Sequence, residues 1–380
     1  MSVPLVDLKT QHARLRESLE TAIRRVIGHS GFILGHEVDA FERAFAREMG
    51  AGAAVGVASG TAALMLALRA VGVGPGDEVV TTAFTFAATA EAIIHCGARP
   101  VFADIDSATF NLSPAAVEDA LTPRTKAILP VHLFGQVADM AAIQAITLRR
   151  GLRVVEDACE SHGAQGGGRP CGAGSDLACY SFFPSKNIGC MGDGGAVTGE
   201  DVLLLQRVRK LRDHGRVSKY EHDEVGFGER LDALQAAILG VKLPRLREWN
   251  DARRRLAARY GERLAEVAAA GDLELPQEME GNRHVWHLYV VRVRAGVGSA
   301  SRERRDWLVK FLNGRGIGAG VHYPRGLHRQ AAFAEFHAGM PALVETDRAS
   351  AEVITLPIYP EMTDAEQDEV VAGVRAGLVA

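Results

Sequence analysis

The chain has 380 residues, 47% of them hydrophobic and 24% charged, with a formal net charge of -4 at pH 7. That length and apolar content suit two or three packed domains and exclude a disordered or fibrous chain, while the slight negative balance gives no basis for a nucleic-acid or anionic-membrane partner. Five cysteines, Cys96, Cys159, Cys171, Cys179 and Cys190, form no CxxC pair and no zinc-like spacing with histidines, so no metal is expected and the odd count fits a reducing compartment.

In chain order, Asp7, Lys9, His12 and Arg14 stand where a signal peptide needs an apolar core, and no apolar run reaches the length of a membrane helix, which predicts a soluble cytoplasmic protein. From about residue 50 to 200, short runs rich in β-branched residues alternate with helical patterns, the rhythm of an α/β domain with a mainly parallel sheet. Val55 to Ala58 precedes a helix over Ala62 to Ala70, Glu78 to Thr81 precedes one over Ala87 to His95, and Pro100 to Asp104 precedes a helix with Ser113 as N-cap and Pro114 in its first turn. Ala127 to Val131, Arg153 to Asp157 and Leu177 to Phe182 read as buried strands, with Met140 to Arg150 as a crossover helix. After Gly195 the rhythm changes to a short strand, Ala196 to Thr198, a helix from Asp201 to about Asp213, and polar connections. A long helical stretch from Leu231 to about Ala270, broken near Pro244, leads into Trp286 to Val293, a helix near Arg304 to Leu312, the segment Gly320 to Tyr323 and a terminal helix after Met362. The expected division is an N-terminal helical arm (1–30), a large α/β domain (31–245) and a small α+β domain (246–380). Arg253, Arg254 and Arg255 are the only dense basic run, and three successive helical residues fan outward, which predicts a solvated face.

Lys186 follows the short apolar run Tyr180 to Phe183 and precedes a glycine-rich stretch, Gly189 to Gly195. A lysine held partly desolvated beside tight turns offers an amine for Schiff-base chemistry. Asp157 ends a separate apolar strand, where a carboxylate suits the ring nitrogen of pyridoxal phosphate and keeps it protonated. Ser59-Gly60-Thr61 lies between a strand and a helix, so the amides of Gly60 and Thr61 project from a helix N-terminus, either as an ordinary cap or as an anion cradle. Phe86 opens the next helix, placed either to stack on a ring or to fill the core.

These segments, with Gly31 to Gly35, Thr85 to Ala90, Pro130 to Gln136, Glu156 to Ala164, Arg230 to Ala237 and Val321 to Pro324, resemble in order the DegT/DnrJ/StrS sugar aminotransferases, which are fold-type-I pyridoxal phosphate enzymes. The resemblance implies that Lys186 forms the internal aldimine, Asp157 pairs with the pyridine nitrogen, Phe86 stacks on the ring, and Gly60, Thr61 and Ser181 hold the phosphate. It places His322 and Tyr323 near the substrate, with His328 a short loop away. Glu160 stands where the family has a glutamine beside the cofactor's 3-oxygen, and Gly228 where it has an asparagine that reaches the phosphate of the neighbouring subunit. The implied activity is transfer of an amino group from glutamate to C3 of a nucleotide-linked keto sugar, by a homodimer with shared sites, in amino sugar biosynthesis. Two rivals are a 3-dehydratase of the same family, whose members carry histidine at the position of Lys186, and a non-catalytic binding or regulatory protein on the same fold. The roles of His132 and His162 are left open by their local sequence.

Overall fold

The computed structural model describes residues 3–294 and 299–379. Two helices come first, α1 (Leu8–His29) and α2 (His36–Met49), followed by β1 (Ala53–Val57), α3 (Gly60–Ala70), β2 (Glu78–Thr82), α4 (Ala87–His95), β3 (Arg99–Ala103), α5 (Pro114–Ala120), β4 (Thr125–Leu129), α6 (Met140–Arg150) and β5 (Arg153–Asp157). A small hairpin, β6 (Gln165–Gly166) and β7 (Arg169–Pro170), precedes β8 (Leu177–Ser181), β9 (Gly195–Gly199), α7 (Val202–Leu211) and α8 (Ala233–Lys242). The remainder holds α9 (Leu246–Ala269), β10 (Leu273–Glu274), β11 (Tyr289–Val293), α10 (Ser299–Gly314), α11 (Val344–Glu352), β12 (Val353–Leu356) and α12 (Asp364–Val379).

The helix starts follow from side-chain caps. Ser59 Oγ accepts from the Ala62 amide, Ser113 from Ala116, Asp139 from Ala142, and Asp201 from Leu203 and Leu204, each satisfying amides that lack an intrahelical partner. Pro244 stops α8 and forces a short 3-10 turn, Leu243–Arg245, before α9.

The large sheet has seven strands in the order β1-β9-β8-β5-β4-β2-β3. The pairs β8/β5, β5/β4, β4/β2 and β2/β3 are parallel, whereas β9 runs antiparallel to both β8 and β1. The C-terminal ends of β1, β2, β4, β5 and β8 therefore meet along one edge, with the N-termini of α3 and α4 beside them, the usual position of a ligand crevice in an open α/β sheet. One face is covered by α2 and α8 around Phe41, Phe45, Tyr180 and Phe182, the other by α3 and α7 around Leu64, Leu66, Val79 and Val208. A three-stranded antiparallel sheet, β10-β11-β12, packs with α9, α10 and α12 around Tyr260, Tyr289, Leu312 and Val370.

Val3, ahead of the N-terminal helices, bridges Ile317 and lies at 0% exposure in the C-terminal core. The structure revises one expectation here. Arg253, expected on a solvated face, is buried, because its Nη1 donates to the carbonyls of Trp286, His287 and Ile358 and so replaces the water it loses.

Candidate active site

The site grows from the loops at the shared strand edge. At the start of α3, Ser59 caps the helix and leaves the Gly60 and Thr61 amides at the positive end of the dipole. Ser181 ends β8 directly beside them: a Cβ added at Gly60 would lie 2.7 Å from Ser181 Cβ and 2.9 Å from Cys159 Sγ, so only glycine lets the helix start come this close. Helix amides and a hydroxyl converging on one side are a donor set for a phosphate dianion. Phe86, at the start of α4, is 62% exposed, which removes the core reading and leaves a ring face free to stack.

Lys186 sits on the tight loop after β8, where its amide donates to the Phe183 carbonyl at 2.9 Å. Gly189 makes that loop possible, since a Cβ there would meet the Pro184 carbonyl oxygen at 2.3 Å. Lys242 Nζ donates to the Gly189 carbonyl at 2.5 Å from below, and burial lowers its pKa to about 8. Lys186 Nζ itself donates to Glu160 Oε1 at 3.1 Å, with the two side chains only 16% and 9% exposed. Glu160 Oε2 accepts from the Phe134 amide at 2.8 Å, and His287 Nε2 lies 3.6 Å from Oε1.

Asp157 closes the far side. It ends β5 next to Glu156, and successive strand residues face opposite ways, so one carboxylate turns to the crevice and the other to the interior. Asp157 Oδ2 accepts from Thr89 Oγ1 at 2.8 Å, Thr89 pairs with Thr85 at 2.9 Å, and Oδ1 accepts from the Cys159 amide at 3.2 Å. Thr89 of α4, which holds Asp157 by its hydrogen bond, stands in the Thr85 to Ala90 motif, to which sequence reasoning assigned no role; its spacing of four from Thr85, just before the helix, was the available signal.

His322 and Tyr323 reach the same place. His322 Nδ1 bonds Thr355 Oγ1 at 2.8 Å, and burial depresses its pKa, with Glu160 raising and Lys186 lowering it. Burial pushes the Tyr323 phenol well up, and the carboxylates of Glu160 and Asp157 push the same way, so it stays a neutral donor. His328 belongs to another neighbourhood: it is buried on a short turn, 3.1 Å from Asp347 and against the His337 ring. His132 lies on the interior side, donating through Nε2 to Glu156 at 2.7 Å while Nδ1 accepts from the Ala138 amide at 3.1 Å. Cys171 joins this pair, bringing together a histidine, a carboxylate and a thiol that are far apart in sequence. Glu156 Oε2 accepts from His132, the Cys171 thiol and the Gly172 amide, so hydrogen bonding accounts for the cluster.

His162 is enclosed by the rings of Phe45, Tyr180 and Phe182, and burial lowers its pKa from 6.5 to about 3. The unfolded chain protonates this imidazole below 6.5 while the folded chain does not until about 3, so stability falls as pH drops through that window. The expected loss is about 1.4 kcal/mol per pH unit below the unfolded value. His162→Leu should flatten the dependence of the urea midpoint between about pH 6.5 and 5 relative to the parent protein; an unchanged slope would contradict a neutral buried imidazole.

A crevice with a nucleophilic lysine, a phosphate-type cradle, a buried carboxylate and a free aromatic face fits pyridoxal phosphate. The DegT/DnrJ/EryC1/StrS aminotransferase family model matches residues 13–375. The chain is 45% identical over 372 residues to a pleiotropic regulatory protein of Geobacillus stearothermophilus, covering 98% of this chain and 97% of that one. It is 41% identical over 377 residues to a UDP-N-acetyl-3-dehydro-α-D-glucosamine 3-aminotransferase of Acidithiobacillus ferrooxidans, covering 99% and 98%. The crystal structure of S. venezuelae DesV in complex with a ketimine intermediate superposes with a TM-score of 0.93 at 41% identity, covering 100% of this chain and 99% of that one. Solved structures of similar chains hold the cofactor in its pyridoxal and pyridoxamine forms. With the match spanning sheet, crevice and C-terminal core alike, the chain belongs to the DegT/DnrJ/EryC1/StrS aminotransferase family.

Proposed function

We propose that the protein uses pyridoxal phosphate to move an amino group from glutamate to C3 of a nucleotide-linked keto sugar, producing an amino sugar. The observation that carries this reading is the meeting of Lys186 and Glu160 at 3.1 Å in a crevice that also receives Asp157, Tyr323 and His322. The 3-aminotransferase activity of the Acidithiobacillus relative supports the choice of C3. When bound, the cofactor supplies the electron sink for charge developing at the donor's α-carbon. With it in place, Asp157 would keep the ring nitrogen protonated, Gly60, Thr61 and Ser181 would hold the phosphate, Phe86 would cover the ring, and the Lys186 amine would carry the proton. His322 and Tyr323 face the sugar. Retention of lysine at 186 favours transamination over the dehydratase, whose members resemble a chain with histidine there.

The test is incubation with glutamate and a panel of nucleotide-linked 3-keto and 4-keto sugars, with mass detection of product. Amino product from 3-keto substrates alone supports the reading; water loss without amination supports the dehydratase. The regulatory name of the Geobacillus relative keeps a second reading open. A visible cofactor band that changes on adding glutamate excludes a purely non-catalytic role.

We further propose a homodimer, working in the cytoplasm, whose sites are completed across the interface. Phe32 and Ile33 are 43% and 56% exposed on the loop before α2, and Val217, Tyr220 and Val225 are exposed on the connection before α8, apolar side chains that suit a partner surface. No helix among the described residues is long and apolar enough to cross a membrane, and all five cysteines are free thiols. Sedimentation is expected to show a dimer; a fully active monomer at assay concentration would overturn the shared site.

Gly228 tests the cross-subunit contact. Its backbone is outside the left-handed region, and an added Cβ meets only the exposed His214 ring, at 3.2 Å from Cε1. Arg230 is held by Asp213 at 2.6 Å and is not free to replace a missing asparagine. Gly228→Asn is therefore expected to bind the cofactor about tenfold more tightly, from one charge-assisted hydrogen bond. Equilibrium binding and melting with and without pyridoxal phosphate read this out, and unchanged affinity with an intact fold would mean that this loop does not approach the phosphate.

A further inference from the structure

His287 stands just before β11, is 6% exposed, and touches Glu160 rather than the crevice mouth. A chain of amides fixes which of its ring nitrogens carries hydrogen. Asn250 Nδ2 donates to the His162 carbonyl at 2.8 Å, and Asn250 Oδ1 accepts from Asn187 Nδ2 at 2.8 Å. Asn187 Nδ2 also donates to the Val285 carbonyl at 2.9 Å, so both of its hydrogens are used. Turning either amide over would set oxygen against a main-chain carbonyl. Asn187 Oδ1 is thus a pure acceptor, and it meets His287 Nδ1 at 3.1 Å. Nδ1 therefore carries the hydrogen, and a neutral His287 directs the Nε2 lone pair at Glu160 Oε1, 3.6 Å away. Two acceptors facing each other repel unless a proton lies between them. The Phe134 amide already engages Oε2, which leaves Oε1 as the oxygen for that proton.

We propose that Glu160 and His287 together take the proton the Lys186 ammonium must lose to act as a free amine, and that the pair then shares that one proton. One N–H bond breaks at Lys186 Nζ and one O–H or N–H bond forms at Glu160 Oε1 or His287 Nε2, so charge and hydrogen balance without another reactant. The route is short, because Nζ already donates to Oε1 at 3.1 Å. A glutamine at 160 has no basic oxygen for the proton, which gives the carboxylate here a task of its own. His287 is a positioning residue in this scheme, and Asn187 and Asn250 set its tautomer.

The charged and titratable groups around the pair agree. Burial pushes the His287 pKa well down, and Lys186, Arg253, His162 and His322 push it further, which disfavours a full positive charge on the ring. Glu160 also acts on His322 and on the Tyr323 phenol, raising both.

The inference rests on the pyridoxal phosphate reading, and one experiment separates the two. The visible band of the cofactor bound to the full-length protein is titrated with pH in the parent, His287→Gln, Glu160→Gln and the double variant, with melting curves as the control for folding. In the parent with cofactor bound, Lys186 has given its proton to the pair, which is then neutral. Without His287 the carboxylate keeps its charge and favours the protonated chromophore, so the midpoint should rise by about one pH unit or more. Glu160→Gln should titrate near the parent, and adding His287→Gln to it should move the midpoint by less than about 0.3 unit, since no carboxylate remains to be neutralised. No rise in His287→Gln, or a rise that persists in the double variant, would overturn the shared proton while leaving the cofactor reading intact. Absence of any band in the parent sinks both. Should His287→Gln not fold, His287→Asn is held to the same outcomes.

Discussion

Lys186→Ala is expected to abolish transamination, lowering the rate by between about a hundredfold and ten-thousandfold, the range spanned by a well-placed general base, with the covalent hold on the cofactor lost as well. The change should leave the fold intact. Lys186 is a loop residue whose side chain makes one ion pair, and the backbone contacts of its loop run through the Phe183 carbonyl, Asn187 and Lys242. Removing Nζ does free Glu160 Oε1 from its hydrogen-bond donor, and the variant should bind cofactor weakly and without a lysine link. Half-reaction rates with glutamate, followed by the visible band, measure the effect. A variant retaining rates within about tenfold of the parent, ~1.4 kcal/mol, would remove Lys186 from the chemistry.

Asp157→Asn should come close to that loss for a different reason. The substitution keeps the shape: the amide oxygen goes on accepting from the Cys159 amide while Nδ2 donates to the Thr89 hydroxyl, so the contacts that now hold the carboxylate at 3.2 and 2.8 Å remain satisfied with the Thr89 bond reversed. What disappears is the charge that keeps the ring nitrogen protonated. Rates should fall more than tenfold while the melting temperature moves little, and rates within about tenfold, or a collapse of stability that accounts for the loss, would show that Asp157 is not the nitrogen's partner. Thr89→Val, which removes only the hydrogen bond to Asp157, should give a smaller loss in the same direction.

Much of this architecture was legible because it is local. The helices Ala87–His95 and Met140–Arg150 and the strand Arg153–Asp157 fall where the apolar pattern and caps put them. The direction of β9 was not legible: Gly195–Gly199 reads as a strand, but its antiparallel place between β1 and β8 depends on the glycine-rich loop that turns the chain back beneath Ser59. Helix α11 and strand β12 also escaped, since Val344–Glu352 carries a polar sequence whose Glu352 is buried because Arg292 on β11 pairs with it at 2.9 Å, joined by Arg294 and Arg348. For the same reason a run of arginines concealed a core residue at Arg253.

The crevice was read from its motifs, while its second layer was not. Lys186, Asp157, Gly60 and Ser181 announce themselves by turn chemistry and strand ends. The bonds of Glu160 to the Phe134 amide and its approach to His287 join segments distant in sequence, and no spacing rule connects them. Phe134 adopts a left-handed φ of 59° to present that amide, a conformation that only the neighbouring Gly135 hinted at. The exposure of Phe86 was equally unreadable, because a phenylalanine at a helix start looks the same whether it faces solvent or core.

Borohydride reduction of the purified protein, followed by proteolysis and mass mapping, tests the central claim most directly. The account predicts one cofactor adduct, on the peptide carrying Lys186, that disappears when glutamate is added before the reductant because the amine has then been released. An adduct on another lysine, Lys242 included, or no adduct at all, would contradict it.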